Sequence, residues 1–232
     1  MKVLWISRMV KFQRLAVLTL VLGACAVPDE WSAEFAVERD ILASIGRNSY
    51  FILEPGYTLV LEGGNERLVI TVLNETVMVD GIETRVVEER ETKGGRLVEI
   101  SKNYFAIDSR TGDVYYFGED VDMYAGGQIS SHDGAWLSGA GGARFGLMMP
   151  GRVSLEAKHY QEIAPGVAMD RARIISLSET LVTPAGEYSN VLKVEETTAL
   201  EPLVIAYKYY APGIGMIRDG PLELMEFGVA SD

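Results

Sequence analysis

The chain has 232 residues, of which 33 are acidic and 21 are lysine or arginine, giving a formal net charge of −12. A protein this acidic repels nucleic-acid phosphates, so we expect no nucleic-acid partner. The single cysteine excludes an intramolecular disulfide, and the 48% apolar composition is enough to build the core of one sizeable domain or two small ones.

The first 24 residues are organised like an export signal. Four basic residues precede an apolar stretch at 15–22, and about eight apolar residues are too few for a membrane-spanning helix, which needs roughly 20. The tetrapeptide Leu22-Gly23-Ala24-Cys25 resembles a bacterial lipobox. The resemblance implies that residues 1–24 are removed and that Cys25 carries a thioether-linked lipid. Removal takes away four positive charges and no acidic residue, so the net charge changes from −12 to −16. The alternative is ordinary cleavage, with no special role for Cys25.

A lipidated Cys25 would hold the protein stably on a membrane, because two acyl chains give stable attachment where one gives only marginal binding. The lipid rather than a basic patch would provide the affinity for the membrane. Ala26 follows the cysteine, and in the Gram-negative lipoproteins that this pattern resembles, such a residue directs the protein to the outer membrane, facing the periplasm. In another type of envelope, the expected location is the outer face of the cell membrane.

Residues 25–48 are predicted to form a tether that contains a short helix over 32–45. Ser32 suits the N-cap of this helix, and Gly46 suits its C′ position. Four apolar residues fall near one face at helical spacing, namely Trp31, Phe35, Leu42 and Ile45. We expect the helix to pack on the outside of the domain; the alternatives place it on the membrane or inside a cavity.

Residues 49–232 are predicted to form a single all-β domain. Apolar and polar residues alternate, turn signals recur at short intervals, and Asp80-Gly81 is a strong signal for a two-residue hairpin. Residues 114–117 are apolar on both faces, which indicates a central strand. The pattern predicts an antiparallel meander that forms a sandwich, a barrel or a half-barrel. The predicted strands cover 57–61, 67–73, 76–79, 82–90, a long strand after Gly95, 114–117, 157–163, 167–177, 188–196, 203–210, 214–218 and 222–227.

A glycine-rich segment, residues 132–155, interrupts this alternation. It contains six glycines with large apolar residues between them. A loop of this length is uncommon in a compact domain and is often functional. Trp136, Phe145 and Met148 are therefore candidate contacts for a ligand or a partner. The loop either covers a ligand cavity or partner surface, or closes one end of the barrel.

The sequence lacks the motifs of common enzymatic chemistry, including the phosphate loop, the Gly-x-Ser-x-Gly elbow and the His-Glu-x-x-His zinc site. Its two histidines, His132 and His159, have no suitably spaced partner. We therefore predict no catalytic residue, no metal ligand and no cofactor. One acidic group has the composition of a calcium site, but such residues are also typical of strand turns, which is the interpretation we favour. Its members are Asp108, Asp113, Glu119, Asp120 and Asp122.

Short stretches spread over residues 48–218 resemble a family of uncharacterised exported bacterial proteins, many of them lipoproteins. They include Asn48-x-Tyr50-Phe51, Tyr115-Tyr116-Phe117-Gly118-Glu119-Asp120, Gly134-Ala135-Trp136, Met149-Pro150-Gly151 and Pro165-Gly166-x-Ala168-x-Asp170. The resemblance implies export but no particular activity. The stretch Tyr210-Ala211-Pro212-Gly213-Ile214-Gly215 is also similar to a feature of half-barrel carriers of lipids or lipoproteins.

Three functions are compatible with these observations. The first, which we favour, is a non-catalytic binding, interaction or structural module whose acidic surface faces the periplasm or the cell exterior, with an envelope protein as a candidate partner. The second is a half-barrel carrier of an apolar ligand, which requires a continuous apolar interior on the order of several hundred Å³. The third is a carboxylate-based hydrolase, which requires two convergent carboxylates in a cleft with displaced pKa values.

Overall fold

A computed structural model describes residues 30–229 of the chain. The predicted signal segment, Cys25 and residues 26–29 lie outside the described residues, so the structure does not test the anchor. Within 30–229, no helix is long and apolar enough to cross a bilayer.

The described chain consists of β-strands joined mostly by tight turns, with one 3-10 turn at Arg39–Ile41. The strands are β1 Leu42–Ala43, β2 Gly46–Arg47, β3 Ile52–Leu53, β4 Tyr57–Gly63, β5 Glu66–Val79, β6 Ile82–Lys93, β7 Arg96–Asp108, β8 Val114–Ala125, β9 Gln128–Ser131, β10 Trp136–Leu137, β11 Arg144–Met149, β12 Lys158–Tyr160, β13 Glu162–Ile163, β14 Asp170–Thr183, β15 Gly186–Thr198, β16 Ile205–Ala211, β17 Gly215–Asp219 and β18 Leu222–Val229. The all-β prediction is confirmed.

One antiparallel sheet curls until its two edges nearly meet. Its main order is β12-β14-β15-β16-β17-β18-β4-β5-β6-β7-β8-β11-β13. The strands at the two ends of this order, β12 and β13, are separated in the chain by Gln161 alone. Residues 158–163 therefore pair with β14 through their first half and with β11 through their second half. The result is a nearly closed barrel with a seam at Gln161.

Local turn chemistry determines much of this meander. At the β5–β6 turn, Asp80 and Gly81 have φ of 50° and 77°, and Val79 pairs with Ile82. Positive φ at both central residues is the signature of a type I′ hairpin, for which Asp-Gly is well suited. The hairpin prediction is confirmed. The first four residues of β8 are all buried, as their apolar pattern predicts.

Two hydrophobic clusters lie on opposite faces of the sheet. The larger one contains inward-facing residues such as Leu61, Phe105 and Tyr116. The smaller one lies on the other face of β6, β7 and β8 and includes Tyr104 and Phe117. Residues 30–41, which we call the N-terminal strap, cover the smaller cluster through Phe35 and Val37. The barrel thus has a packed outer face as well as a packed interior.

The predicted helix over 32–45 is wrong. From Trp31 to Val37 the burial alternates residue by residue, with odd positions half-buried and even positions exposed, as in an extended chain. Ile45, which the helix would place on the buried face, is 53% exposed. The apolar residues of this segment fit a period of two as well as a helical period; they are Trp31, Ala33, Phe35 and Val37. Packing of Phe35 and Val37 against the smaller cluster stabilises the extended form.

The glycine-rich segment is more regular than predicted. It contributes β10 and β11, and both pair with β8. Strand β14 also runs beyond its predicted end, to Thr183. Register shifts interrupt the pairing of β14 with β15 at three places. Apolar and polar residues therefore do not alternate strictly along this hairpin, and the sequence pattern underestimates the length of β14.

Candidate binding cleft

The structure separates the three candidate residues of the glycine-rich segment. Trp136 is buried in the larger cluster, with its ring perpendicular to that of Tyr116 and the ring centres 5.2 Å apart. Met148 is also buried and borders interior cavities. Phe145 is half-buried on the outer face, where it lines a cleft. Two of the three residues are therefore core residues, and one lies at a surface site.

The cleft lies between the N-terminal strap, the β5–β6 turn and the glycine-rich segment, and its volume is about 220 Å³. It is open on one side, and its walls combine apolar and charged groups. The lining residues are Ala33, Glu34, Phe35, Arg39, Asp80, Ser138, Gly139, Ala143, Arg144 and Phe145. We call this site the outer cleft.

Aromatic rings form the apolar wall of the outer cleft. The Phe145 ring stacks on Phe117, with the ring centres 4.8 Å apart and an interplanar angle of 24°. It also meets Tyr115 edge to face at 5.8 Å, and Phe35 meets Tyr115 at 6.1 Å. Because Phe117 and Tyr115 are buried residues of β8, they hold the Phe145 side chain in place.

Two ion pairs connect the strap to the other walls of the cleft. The Arg39 guanidinium donates to the Asp80 backbone oxygen and, at 2.9 Å, to Asp80 Oδ2. The Arg144 guanidinium donates to Glu34 Oε1. Both arginine side chains are 48% exposed, so each pair contributes little to stability and remains accessible to a bound molecule.

Ser138 is the buried polar group of the cleft. Its hydroxyl donates to Asp80 Oδ2 at 3.1 Å and accepts a hydrogen bond from the Phe145 amide at 3.1 Å. Next to it, Gly139 has a φ of 83°, and a Cβ there would lie 3.0 Å from Asp80 Oδ1. Glycine therefore allows the loop to approach the Asp80 carboxylate. The Ser138 hydroxyl thus positions the loop, and no histidine of the cleft wall is present to act as its base.

A second polar site, which we call the interior acidic cluster, lies inside the barrel. It consists of Glu119, Glu162, Asp170, Glu196 and Lys208, and each of these residues is at most 2% exposed. Lys208 Nζ lies 2.9 Å from Glu196 Oε2. Glu162 Oε1 accepts a hydrogen bond from the Asp170 amide at 2.7 Å.

Burial raises the pKa of three carboxyls of this cluster. For Asp170, burial and then the charge of Glu196 raise the pKa to about 7. For Glu162, burial and then Asp170 raise the pKa well above its ordinary value. Burial likewise raises the Glu119 pKa. Burial lowers the Lys208 pKa, but the charge of Glu196 and other carboxylates outweighs this effect and leaves it raised. The cluster therefore combines a lysine whose charged form is favoured with three carboxyls in which burial favours the protonated form.

Sequence reasoning did not identify the interior acidic cluster. Its carboxylates converge and have displaced pKa values, as the hydrolase hypothesis requires, but they are enclosed in the barrel and do not line the outer cleft. Glutamates in period-two segments look like solvent-facing residues, so the sequence carries little signal for them.

The acidic residues at 108–122 do not converge on one point. Asp108 Oδ1 accepts hydrogen bonds from the amides of Arg110 and Thr111, as a turn residue does. Asp120 accepts from the Tyr104 hydroxyl, while Glu119 belongs to the interior acidic cluster. Among residues 30–229, no group of three or more acidic, histidine or cysteine side chains is arranged to hold a metal ion.

Neither of the two histidines lines the outer cleft. His159 is 4% exposed, and burial lowers its pKa to about 4, so it is neutral. His132 Nδ1 lies 2.9 Å from Asp122 Oδ1 at the surface. Neither histidine contacts a serine hydroxyl in the interactions that the structure describes.

Two cavities inside the barrel, both lined by described residues, are small. One, about 40 Å³, has apolar walls that include Tyr57, Leu59 and Met216. Another, next to His159 and Gln161, is about 10 Å³. A single water molecule requires roughly 10–15 Å³, so cavities of about 40 Å³ and 10 Å³ are too small for a lipid chain.

Comparison with known proteins finds no match: no protein-family model, no curated protein and no solved structure is significantly similar to the chain. The resemblance to a family of exported bacterial proteins therefore stays a prediction.

Proposed function

We propose that this protein is a lipid-anchored, non-catalytic binding module of the cell envelope, and that its outer cleft receives a side chain of a partner protein. The observation that supports this proposal is the outer cleft itself, a cavity of about 220 Å³ with a fixed aromatic wall and a charged rim. A central apolar pocket surrounded by polar residues is the usual arrangement at a protein-binding hot spot.

The chemistry of the outer cleft favours binding over catalysis. Its arginines are paired with carboxylates, and the Ser138 hydroxyl is engaged with Asp80 and the loop backbone. A serine nucleophile needs an adjacent base, and no histidine side chain lines this cleft. The carboxyls with raised pKa are separated from the cleft by their burial in the barrel.

The size of the interior cavities favours a partner protein over a carried ligand. A carrier needs a cavity on the order of several hundred Å³, about ten times the apolar interior cavity of 40 Å³. We therefore favour a partner protein over the carrier hypothesis. The partner surface that fits the outer cleft combines an aromatic or branched apolar side chain with flanking charges of both signs, since the rim contains two arginines and two carboxylates.

In-cell photo-crosslinking tests the binding proposal. A photoreactive residue replaces Ala140, which is exposed beside the outer cleft, or Ala125, a matched exposed alanine at the end of β8. We expect a discrete protein adduct from position 140 that weakens with Phe145→Ala or Arg144→Glu and that position 125 does not produce. Adducts that are equal at the two positions, or unaffected by both variants, would contradict a role for the cleft.

The anchor is tested separately by Cys25→Ser. We expect the wild type to fractionate with membranes and the variant to enter the soluble fraction, because removal of the modified thiol removes the acyl chains. A variant that stays with the membrane would show that Cys25 is not the anchor.

A further inference from the structure

The N-terminal strap brings a group of aromatic and basic side chains close to the proposed anchor. Trp31 lies six residues after Cys25 in the sequence, so even a fully extended chain keeps it within roughly 20 Å of the lipidated residue. Next to Trp31, the Ser32 amide donates to the Lys158 carbonyl at 3.1 Å, and the Tyr160 amide donates to the Ser32 carbonyl at 2.9 Å. These bonds fix the start of the strap on β12.

One face of β12 and β14 surrounds Trp31. Lys158 pairs with Arg173 and Tyr160 pairs with Arg171, so these four side chains share a face, while His159 and Ala172 share the other. The Arg171 guanidinium carbon lies 4.6 Å from the centre of the Trp31 ring, and Lys158 Nζ lies 5.9 Å from it. We call this set the Trp31 face.

The charge of the Trp31 face differs from that of the whole protein. The face has three cations, Lys158, Arg171 and Arg173. Three acidic residues lie beside them: Glu156 and Glu195 pair with Arg173, and the exposed Glu30 precedes Trp31. The three positive charges therefore balance the three negative charges. The mature chain as a whole would carry a net charge of −16, the formal −12 less the four positive charges of residues 1–24. This locally balanced face is therefore repelled by lipid phosphates far less than the rest of the surface.

We propose that the Trp31 face lies on the phosphate headgroup layer of the membrane and thereby sets the orientation of the barrel. Tryptophan and tyrosine rings favour this interfacial layer, and lysine and arginine donate to lipid phosphates. The proposal rests on the lipid anchor at Cys25, which provides the affinity, while the Trp31 face provides the orientation.

Tryptophan fluorescence tests this orientation directly. Once residues 1–24 are removed, the chain has two tryptophans, Trp31 and the buried Trp136. The full lipidated protein is reconstituted into vesicles of phosphatidylethanolamine and phosphatidylglycerol in which a fraction of the lipid is brominated near the headgroup. We expect the brominated lipid to quench part of the emission, and we expect Trp31→Phe to abolish that quenched part.

A charge variant and its control complete the test. Lys158→Gln with Arg171→Gln is expected to reduce the quenching while the protein stays on the vesicles, whereas the exposed pair Arg90→Gln with Arg96→Gln is expected to leave it unchanged. A protein that stays on the vesicles without Trp31 quenching would overturn the orientation and leave the anchor intact. If a crosslinker at Tyr160 then captured a protein in cells, the face would belong to that partner. A protein that leaves the vesicles would overturn the anchor and the orientation together.

Discussion

Lys208 and Glu196 form a charged pair inside the barrel. Their side chains are 1% exposed, with Nζ and Oε2 2.9 Å apart, and Glu196 Oε1 also accepts a hydrogen bond from Gln161 at 3.0 Å. A buried charge of either sign is costly without its partner, so the two residues are stable only together.

Removal of the lysine charge is therefore expected to destabilise the fold strongly. Lys208→Met should lower the free energy of unfolding by about 3 kcal/mol, because Glu196 remains buried without its cation. The matched control is Lys193→Met, which removes a half-buried lysine over the Tyr207 ring and should cost about 1 kcal/mol.

Denaturant unfolding measures both variants and the double variant Lys208→Met/Glu196→Met. The double variant should recover most of the lost stability, since it removes both charges. Equal losses for Lys208→Met and Lys193→Met would contradict a coupled buried pair.

The raised pKa of Asp170 predicts a specific pH dependence. Its pKa is about 7 in the folded protein against an ordinary value of 3.8, so the folded state keeps a proton that the unfolded chain has released. The unfolded state then binds fewer protons, and this contribution to the free energy of unfolding falls as the pH rises from about 4 to about 7. Below this window both states are protonated, and above it both are ionised.

The variant Asp170→Asn isolates this contribution. The stability difference between the variant and the wild type, measured by urea unfolding at a series of pH values, should shift in favour of the variant through this window and then level off. A difference that does not change with pH would show that Asp170 is not the protonated group.

Among the elements, the N-terminal strap shows where sequence reasoning fails. Trp31 and Phe35 satisfy a helical period as well as period two, so a short apolar pattern does not distinguish them. The smaller hydrophobic cluster decides between the two, because Phe35 and Val37 of the extended strap pack against it. Hairpins such as β5–β6 are predictable because Asp80 and Gly81 act within their own turn.

Two substitutions distinguish the extended strap from the predicted helix. Phe35→Ser should lower the free energy of unfolding by about 2 kcal/mol and speed tryptic cleavage after Arg39, because it exposes the smaller hydrophobic cluster. Ile45→Ser, at a position that is 53% exposed, should change stability by less than about 0.5 kcal/mol. Similar losses for the two variants, measured by denaturant unfolding, would favour the helix.

The outer cleft was only partly predictable for a related reason. Phe145 and Ser138 belong to the glycine-rich segment, whose composition differs from that of the rest of the chain, but Arg39 belongs to the N-terminal strap and Asp80 to the β5–β6 turn. Asp80 and Ser138 are 58 positions apart in the chain, and Arg39 and Asp80 are 41 apart. The order of strands in a sheet brings such residues together, and local pattern carries no information about it.

At the scale of the whole molecule, the barrel depends on the seam at Gln161. Gly146 of β11 lies against this seam, and a Cβ at Gly146 would stand 2.5 Å from the Gln161 carbonyl carbon and 2.6 Å from the Tyr160 oxygen. Backbone atoms cannot move aside as the end of a side chain can. Only glycine lets residues 158–163 approach β11 closely.

Gly146→Ala is therefore expected to separate the seam, lower the free energy of unfolding by about 2 kcal/mol and speed hydrogen exchange in β11 and β13. Gly126→Ala is the control, because a Cβ there meets no atom within 4 Å and the cost is that of its left-handed φ of 63°, about 1 kcal/mol. Normal exchange protection of β11 and β13 in Gly146→Ala would contradict the seam.

We propose that the protein binds a partner at its surface and carries no ligand inside the barrel. The most direct test is the mass of residues 26–232, exported with an ordinary signal peptide, under native and then denaturing conditions. Because the apolar interior cavity is only about 40 Å³, we predict that the two masses agree. Extra mass that disappears on denaturation would reveal a carried ligand and contradict the account.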